Sequence, residues 1–194
     1  SDAFLELYKA GKLTNAHKEL DTGLSAWNLA MGSQELYDWL DAEPQLFHPG
    51  DLDYIHSVER ISKFSNVISI NGGVQLDLMG QENAESTGTR QLSGVGGQMD
   101  FLEGAYRSKG GKGFICINSS RVTKDGERKS NILATIPGGS TISAPRTMIQ
   151  YVATEYGIAS LSGKTLRERA EAMASIAHPD FREELMKYAQ ENFK

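Results

Sequence analysis

The chain has 194 residues, 39% of them hydrophobic and 23% charged, a composition that excludes a disordered polymer and suits one well-buried domain. Its formal net charge of -5 argues against a general nucleic-acid binder, which needs clustered Lys and Arg. The single cysteine, Cys116, excludes an internal disulfide framework and points to a reducing compartment, the cytoplasm; no apolar run approaches the roughly 20 residues that span a membrane, and no signal-peptide pattern opens the sequence.

The chain starts Ser1-Asp2-Ala3-Phe4-Leu5 without a Met, already inside an amphipathic pattern. Phe4, Leu7 and Tyr8 share a helix face, and Gly11 stands where a helix C-cap belongs, so a helix is expected from Ser1 to about Ala10. A cut from a longer protein is expected; a processed or tagged N-terminus is the alternative. Ser33 is a good N-cap for a short helix carrying Leu36, Trp39 and Leu40, which must end before Pro44. Residues 45–57 read as loop.

The middle reads as strands: Asn66 to Ile70, Val74 to Met79 (alternating, hence half-buried), Gly113 to Ile117, Thr141 to Ser143 and Tyr151 to Thr154. A helix is expected from Met99 to about Arg107. Thr165-Leu-Arg-Glu168 and Asp180-Phe-Arg-Glu183 each have capping-box spacing ahead of a C-terminal helix. Strands mixed with helices imply an α/β layered domain, an open sheet of mixed direction with flanking helices.

The strongest chemical feature is Ser93-Gly94-Val95-Gly96-Gly97-Gln98, with three glycines just before a helix start. Backbone N–H groups there can approach a ligand closely, and the helix N-terminus adds partial positive charge. The loop can hold a phosphate, form an oxyanion hole for a thioester carbonyl, or be only a tight turn. It is neither a Walker A nor a full dinucleotide fingerprint. A second cluster, Ser108-Lys109-Gly110-Gly111-Lys112, reads alone as a charged helix-to-strand turn. Arg90, Arg107, Arg121, Lys124, Arg128 and Lys129 give it a locally basic neighbourhood that suits a phosphate-bearing small molecule. A third, Gly80 to Gly88, follows a strand and is either a ligand contact or a solvated loop. Its Glu85 is a carboxylate at a strand end. His17, His48, His56 and His178 lack metal-ligand spacing and read as structural or surface residues. Cys116 reads as a small buried hydrophobe, and Glu155 as a buried polar anchor or a site residue.

Together these segments resemble the acetyl-CoA hydrolase/transferase family, particularly 4-hydroxybutyrate CoA-transferases. Gly94-Val-Gly-Gly-Gln-Met-Asp-Phe101 resembles its G-x-G-G-Q-x-D-[FY] signature. Asp77-Leu-Met-Gly-Gln81 with Glu85-Ser86 resembles D-L-x-G-Q-x-x-x-E-S, and Ser108 to Lys112 matches S-K-G-G-K. Tyr151 to Ala159 resembles Y-V-V-T-E-Y-G-I-A, and Ile176 to Leu185 resembles I-A-H-P-D-F-R-x-x-L. The resemblance implies the C-terminal half, residues 1–194, of a protein with two similar α/β halves of the ribose-phosphate-isomerase kind. It implies CoA exchange between an acyl-CoA and a short carboxylic acid through a glutamyl-CoA thioester. The nucleophilic Glu would lie just before Ser1. Glu85 would support the site, and Gly73, Gly94, Gly96, Gly97, Gln98 and Ser120 would contact CoA. Acyl-CoA and the acid are then substrates, with no metal and no tightly bound cofactor. The expected partners are the N-terminal half of the same protein and a further copy in a homo-oligomer. Two departures stand out: Asn118-Ser119-Ser120 replaces the usual P-S-T, and Ser130-Asn131-Ile132-Leu133-Ala134 replaces S-R-I-V-P. Acetyl-CoA hydrolysis and a non-catalytic nucleotide- or phosphate-binding domain remain as alternatives.

Overall fold

The computed structural model describes residues 1–193. The opening amphipathic pattern forms α1 (Asp2–Lys9), whose Leu5 is buried. It packs with Leu36 and Trp39 of α2 (Gln34–Ala42) in a small core that Tyr8, Leu13 and Phe47 partly cover. Ser33 caps α2 as its position predicts, its hydroxyl accepting from the Leu36 N–H. Between the helices lies β1 (Ser25–Trp27), parallel to β2 (Phe47–Pro49).

Residues 45–57 are not a loop. They complete a 3-10 turn (Pro44–Leu46), form β2 and α3 (Leu52–Ile55), and reach the cap of α4 (Val58–Ser62). The reason is local. Asp51 and Ser57 are both N-caps, accepting from the Tyr54 and Arg60 N–H groups, while Ile55 and Ile61 turn inward. Asp21 holds the preceding segment to these helices: its carboxylate accepts from the Tyr54 hydroxyl at 2.9 Å and pairs with Arg60 and His48.

The main sheet carries β3 (Ile68–Gly72), β8 (Lys112–Cys116), β12 (Tyr151–Thr154) and β13 (Gly157–Ser160) in the order β13-β12-β8-β3. The first three run parallel and β13 antiparallel, so the sheet is open and mixed, as the element pattern predicts. β3 starts two residues later than its β-type run suggests. A second sheet joins β4 (Gln75–Asp77), β5 (Glu82–Asn83) and β11 (Ile132–Leu133). Hairpins pair β6 (Ser86–Thr87) with β7 (Arg90–Gln91), and β9 (Ser120–Val122) with β10 (Arg128–Ser130).

Within the alternating run, Gln75 to Leu78 are all buried rather than on one face, because Leu76 lies between two strands and Asp77 accepts two bonds from Gln81, while Val74 and Met79 at its ends are half-buried. Thr141 to Ser143 forms no strand; instead the next residue, Ala144, bridges Glu82.

The core sits where α5 (Gln98–Arg107), α6 (Leu166–Ser175) and α7 (Pro179–Asn192) cover the sheets. Leu76, Leu102, Ile115, Val152, Leu161 and Met173 are essentially inaccessible there, each large aliphatic contributing about 1.5–3 kcal/mol. The Thr165–Glu168 capping box is present. The second box is not: Pro179 takes the first helical position, where a missing N–H is harmless, and His178 becomes the N-cap. Asp180 therefore falls inside α7. Arg169 of α6 donates to the carbonyls of Met79, Leu161 and Arg146, fastening the β4–β5 turn to the helical layer. No helix among the described residues is long and apolar enough to cross a membrane.

Candidate functional site

The three parallel strands end at one side of the sheet, where open α/β sheets characteristically bind ligands. Gly73, Cys116, Ile117, Asn118, Ala153, Thr154 and Glu155 line a cleft of about 450 Å³ there. Cys116 is exposed, contrary to its reading as a buried hydrophobe. It is the last residue of β8, where the strand leaves the core that holds Ile115. Partial burial still pushes its thiol up, which disfavours the thiolate.

Glu155 is exposed on the cleft wall, not a buried anchor. The Ser119 N–H and hydroxyl donate to its carboxylate at 2.9 and 2.6 Å. Partial burial pushes this carboxyl up, but the Ser119 hydrogen bonds outweigh that effect and hold it below the usual range. It is therefore a fixed anion at neutral pH.

α5 runs back along β8, so its N-terminus lies at this same end of the sheet. Gly96 and Gly97 line a second cleft, of about 530 Å³, with Leu52, Asp53, His56, Ser57 and Asp100. The two glycines are needed for different reasons. Gly96 has φ +63° with open space around it, so it is backbone conformation, not crowding, that favours glycine there. At Gly97 the His56 ring occupies the space a Cβ would need. That ring also stacks edge-on against Phe101 and lies 3.6 Å from the Asp100 carboxylate. Gly94 and Val95 project into solvent.

Glu82 lies between Gly73, on the wall of the first cleft, and Gln98, the residue after Gly97 of the second, and is the residue that sequence reasoning passed over in favour of Glu85. Its side chain is fully buried. The Gln98 side-chain amide, one residue past the glycine loop, donates to its Oε2, and Oε1 has no partner. A Cβ on Gly73 would come within 2.7 Å of that Oε1. Burial pushes the carboxyl up to about 8, against the Gln98 hydrogen bond, so it is largely neutral at pH 7. Thus Gly73 and Gln98, both singled out from sequence, meet around a carboxyl that was not.

Glu85 is also buried, with Oε2 unpartnered, and its carbonyl accepts from Leu92 and Ser93 at the base of the glycine loop. Ser120 begins β9, where its hydroxyl accepts from Arg128 at 3.0 Å; it is the neighbouring Ser119 that reaches the cleft wall. The Ser108 to Lys112 cluster lies at the opposite end of β8. There Ser108 donates to the Phe64 carbonyl and Lys109 accepts from the Asn66 N–H. Its basic neighbours are dispersed: Arg107 pairs with Glu103, while Arg121, Arg128 and Lys129 sit on the β9–β10 hairpin.

A glycine loop at a helix N-terminus, with clefts at the carboxyl ends of parallel strands, places this chain in the class of open mixed α/β domains with helices on their faces. Residues 32–189 match the acetyl-CoA hydrolase/transferase C-terminal domain, and the chain belongs to that family. It is 44% identical over 189 residues to butyryl-CoA:acetate CoA-transferase of Anaerostipes caccae, covering 97% of this chain and 42% of that protein. It is also 44% identical over 193 residues to 4-hydroxybutyrate coenzyme A transferase of Clostridium kluyveri, covering 100% and 44%. The fold superposes on RipA from Yersinia pestis with TM-score 0.85 at 38% identity, covering 96% of this chain and 41% of that one. On 4-hydroxybutyrate CoA-transferase from Porphyromonas gingivalis the TM-score is 0.79 at 35% identity, covering 99% and 43%. The chain thus spans well under half the length of these relatives.

Proposed function

We propose that the full-length protein containing this chain exchanges CoA between an acyl-CoA and a short carboxylic acid of the acetate, butyrate or 4-hydroxybutyrate type. The observation that carries this reading is the near-complete match of the chain to relatives named as CoA-transferases for such acids. In it, a Glu upstream of Ser1 attacks the thioester carbonyl and expels the CoA thiolate, giving an acyl-glutamyl anhydride. The thiolate then attacks the glutamyl carbonyl, releasing the donor acid and leaving CoA as a glutamyl thioester, and the acceptor acid runs the two steps in reverse to leave with CoA. The Gly94 to Gly97 loop holds the negative oxygen that develops on each carbonyl through its N–H groups. Gly73, Gln98 and Ser120 adjoin CoA, while Glu85 supports the loop from beneath. Since the nucleophile is outside it, this chain alone is inactive. The enzyme works as a homo-oligomer in a reducing cytoplasm, with no metal and no resident cofactor.

The test is an assay of the intact protein with acetyl-CoA or butyryl-CoA, with and without acetate, butyrate or 4-hydroxybutyrate. Formation of the new acyl-CoA only when the acid is present supports transfer. CoA release that ignores every acid supports hydrolysis, the activity in the name of the 28%-identical acetyl-CoA hydrolase of Candida albicans.

A further inference from the structure

The feature left without a role in that reading is the buried Glu82 carboxyl. It is the only carboxylate-bearing side chain among the described residues with no measurable exposure apart from Asp77, and the two differ. Asp77 is satisfied within its own turn by Gln81. Glu82 instead reaches out of its strand to another element. Its main chain is fixed independently: its N–H donates to the Ala144 carbonyl, and its carbonyl accepts from Ser143 and Ala144. The side chain is therefore not needed to hold β5 in place. What it does reach is Gln98, in the first turn of α5, and the space a Cβ would take on Gly73, the residue that follows β3.

We propose that Glu82 is a positioning residue that acts through Gly73 and Gln98, fixing the glycine loop at the start of α5 relative to the strand end that faces it. This deepens the CoA-transfer reading and rests on it. Gly97 caps α5 without a side chain, so nothing of its own orients the loop's N–H groups. The Gln98–Glu82 hydrogen bond supplies a fixed point one residue away. An oxyanion hole is effective only if its donors are held before the carbonyl arrives. Glu82 is an unusual way to hold them, since a buried carboxyl with an unpartnered oxygen opposes folding. That opposition separates a positioning role from a merely structural one.

The experiment uses the full-length protein with Glu82→Leu and Glu82→Gln. Leu removes the polar group and its unpartnered oxygen; Gln keeps an oxygen that can accept from Gln98. Transfer from butyryl-CoA to acetate, thermal unfolding, and hydrogen exchange of the amides from Gly94 to Met99 are measured. With Leu, kcat is expected to fall roughly tenfold, the effect of losing about one orienting hydrogen bond. The KM for acetate is unchanged, the melting temperature is equal or higher, and loop exchange is faster. With Gln, kcat and loop exchange return towards wild type. Unchanged kcat and loop exchange with Leu would overturn the proposal, as would activity and melting temperature falling together. Absence of transfer in the wild type, with loop exchange still responding to Glu82→Leu, would instead overturn the CoA-transfer reading and leave the positioning role standing.

Discussion

The imidazole of His56 stands where a Cβ on Gly97 would have to be, so the C-cap of α3 and the N-cap of α5 are fitted to each other. This contact joins the N-terminal helices to the glycine loop. Gly97→Ala is expected to cost about 1–3 kcal/mol through overpacking. Adding His56→Ala should recover part of that loss, giving a favourable coupling in a double-mutant cycle. Urea unfolding of the four proteins checks it; strictly additive losses would show that the ring moves aside freely.

Gly96 should behave differently although it is adjacent. Nothing crowds it, and only its φ of +63° restrains it. Gly96→Val should cost about 1–2 kcal/mol of local strain and weaken CoA binding by about tenfold or more, since the reoriented N–H groups no longer converge. Calorimetry with CoA measures this. Binding that survives the substitution would remove the loop from the CoA site.

Glu82 makes stability depend on pH. Its carboxyl is pushed from an ordinary 4.5 up to about 8, by burial first and with Gln98 opposing. Between those values the folded state keeps a proton that the unfolded state has lost. Its contribution is therefore fully present below about pH 4.5, falls by on the order of 1 kcal/mol per pH unit, and is gone above about pH 8. Denaturant midpoints across this window should fall more steeply for wild type than for Glu82→Gln. Parallel curves for the two proteins would mean that Glu82 is ionised in the fold.

The C-terminal helices offer a contrast between a capping box that forms and one that does not. Thr165→Ala should cost about 1 kcal/mol, because Thr165 and Glu168 satisfy each other's backbone N–H groups. Glu183→Ala should change stability by less than about 0.5 kcal/mol, since Glu183 is an exposed residue on α7 with no capping role. Equal losses at the two sites, read from urea midpoints, would contradict this assignment.

Much of this was legible because it depends on local chemistry. Ser33, Thr165 and the run from Gly113 to Ile117 announce a cap, a box and a strand wherever they occur. Two-residue strands such as Glu82–Asn83 and Ile132–Leu133 are too short to show a period. Asp180 looked like a cap until Pro179 claimed the first turn, and Cys116 looked buried because a strand's end cannot be told from its middle by composition. Within the site, the glycine loop was visible because glycine has few other uses before a helix. Glu82 was not, because in sequence it is one more acid in a polar stretch. Its burial depends on tertiary pairing, with β4 and Ala144 beside its strand and Gln98 at its carboxyl.

The central claim is that this chain is the CoA-holding part of a transferase whose attacking carboxylate lies outside it. Incubating the full-length protein with butyryl-CoA, reducing any thioester with borohydride and mapping the modified peptide by mass spectrometry tests it most directly. A single modified glutamate upstream of Ser1, with Glu82, Glu85 and Glu155 untouched, is the predicted result. An adduct on any of those three residues, or none under conditions where transfer is observed, would contradict the account.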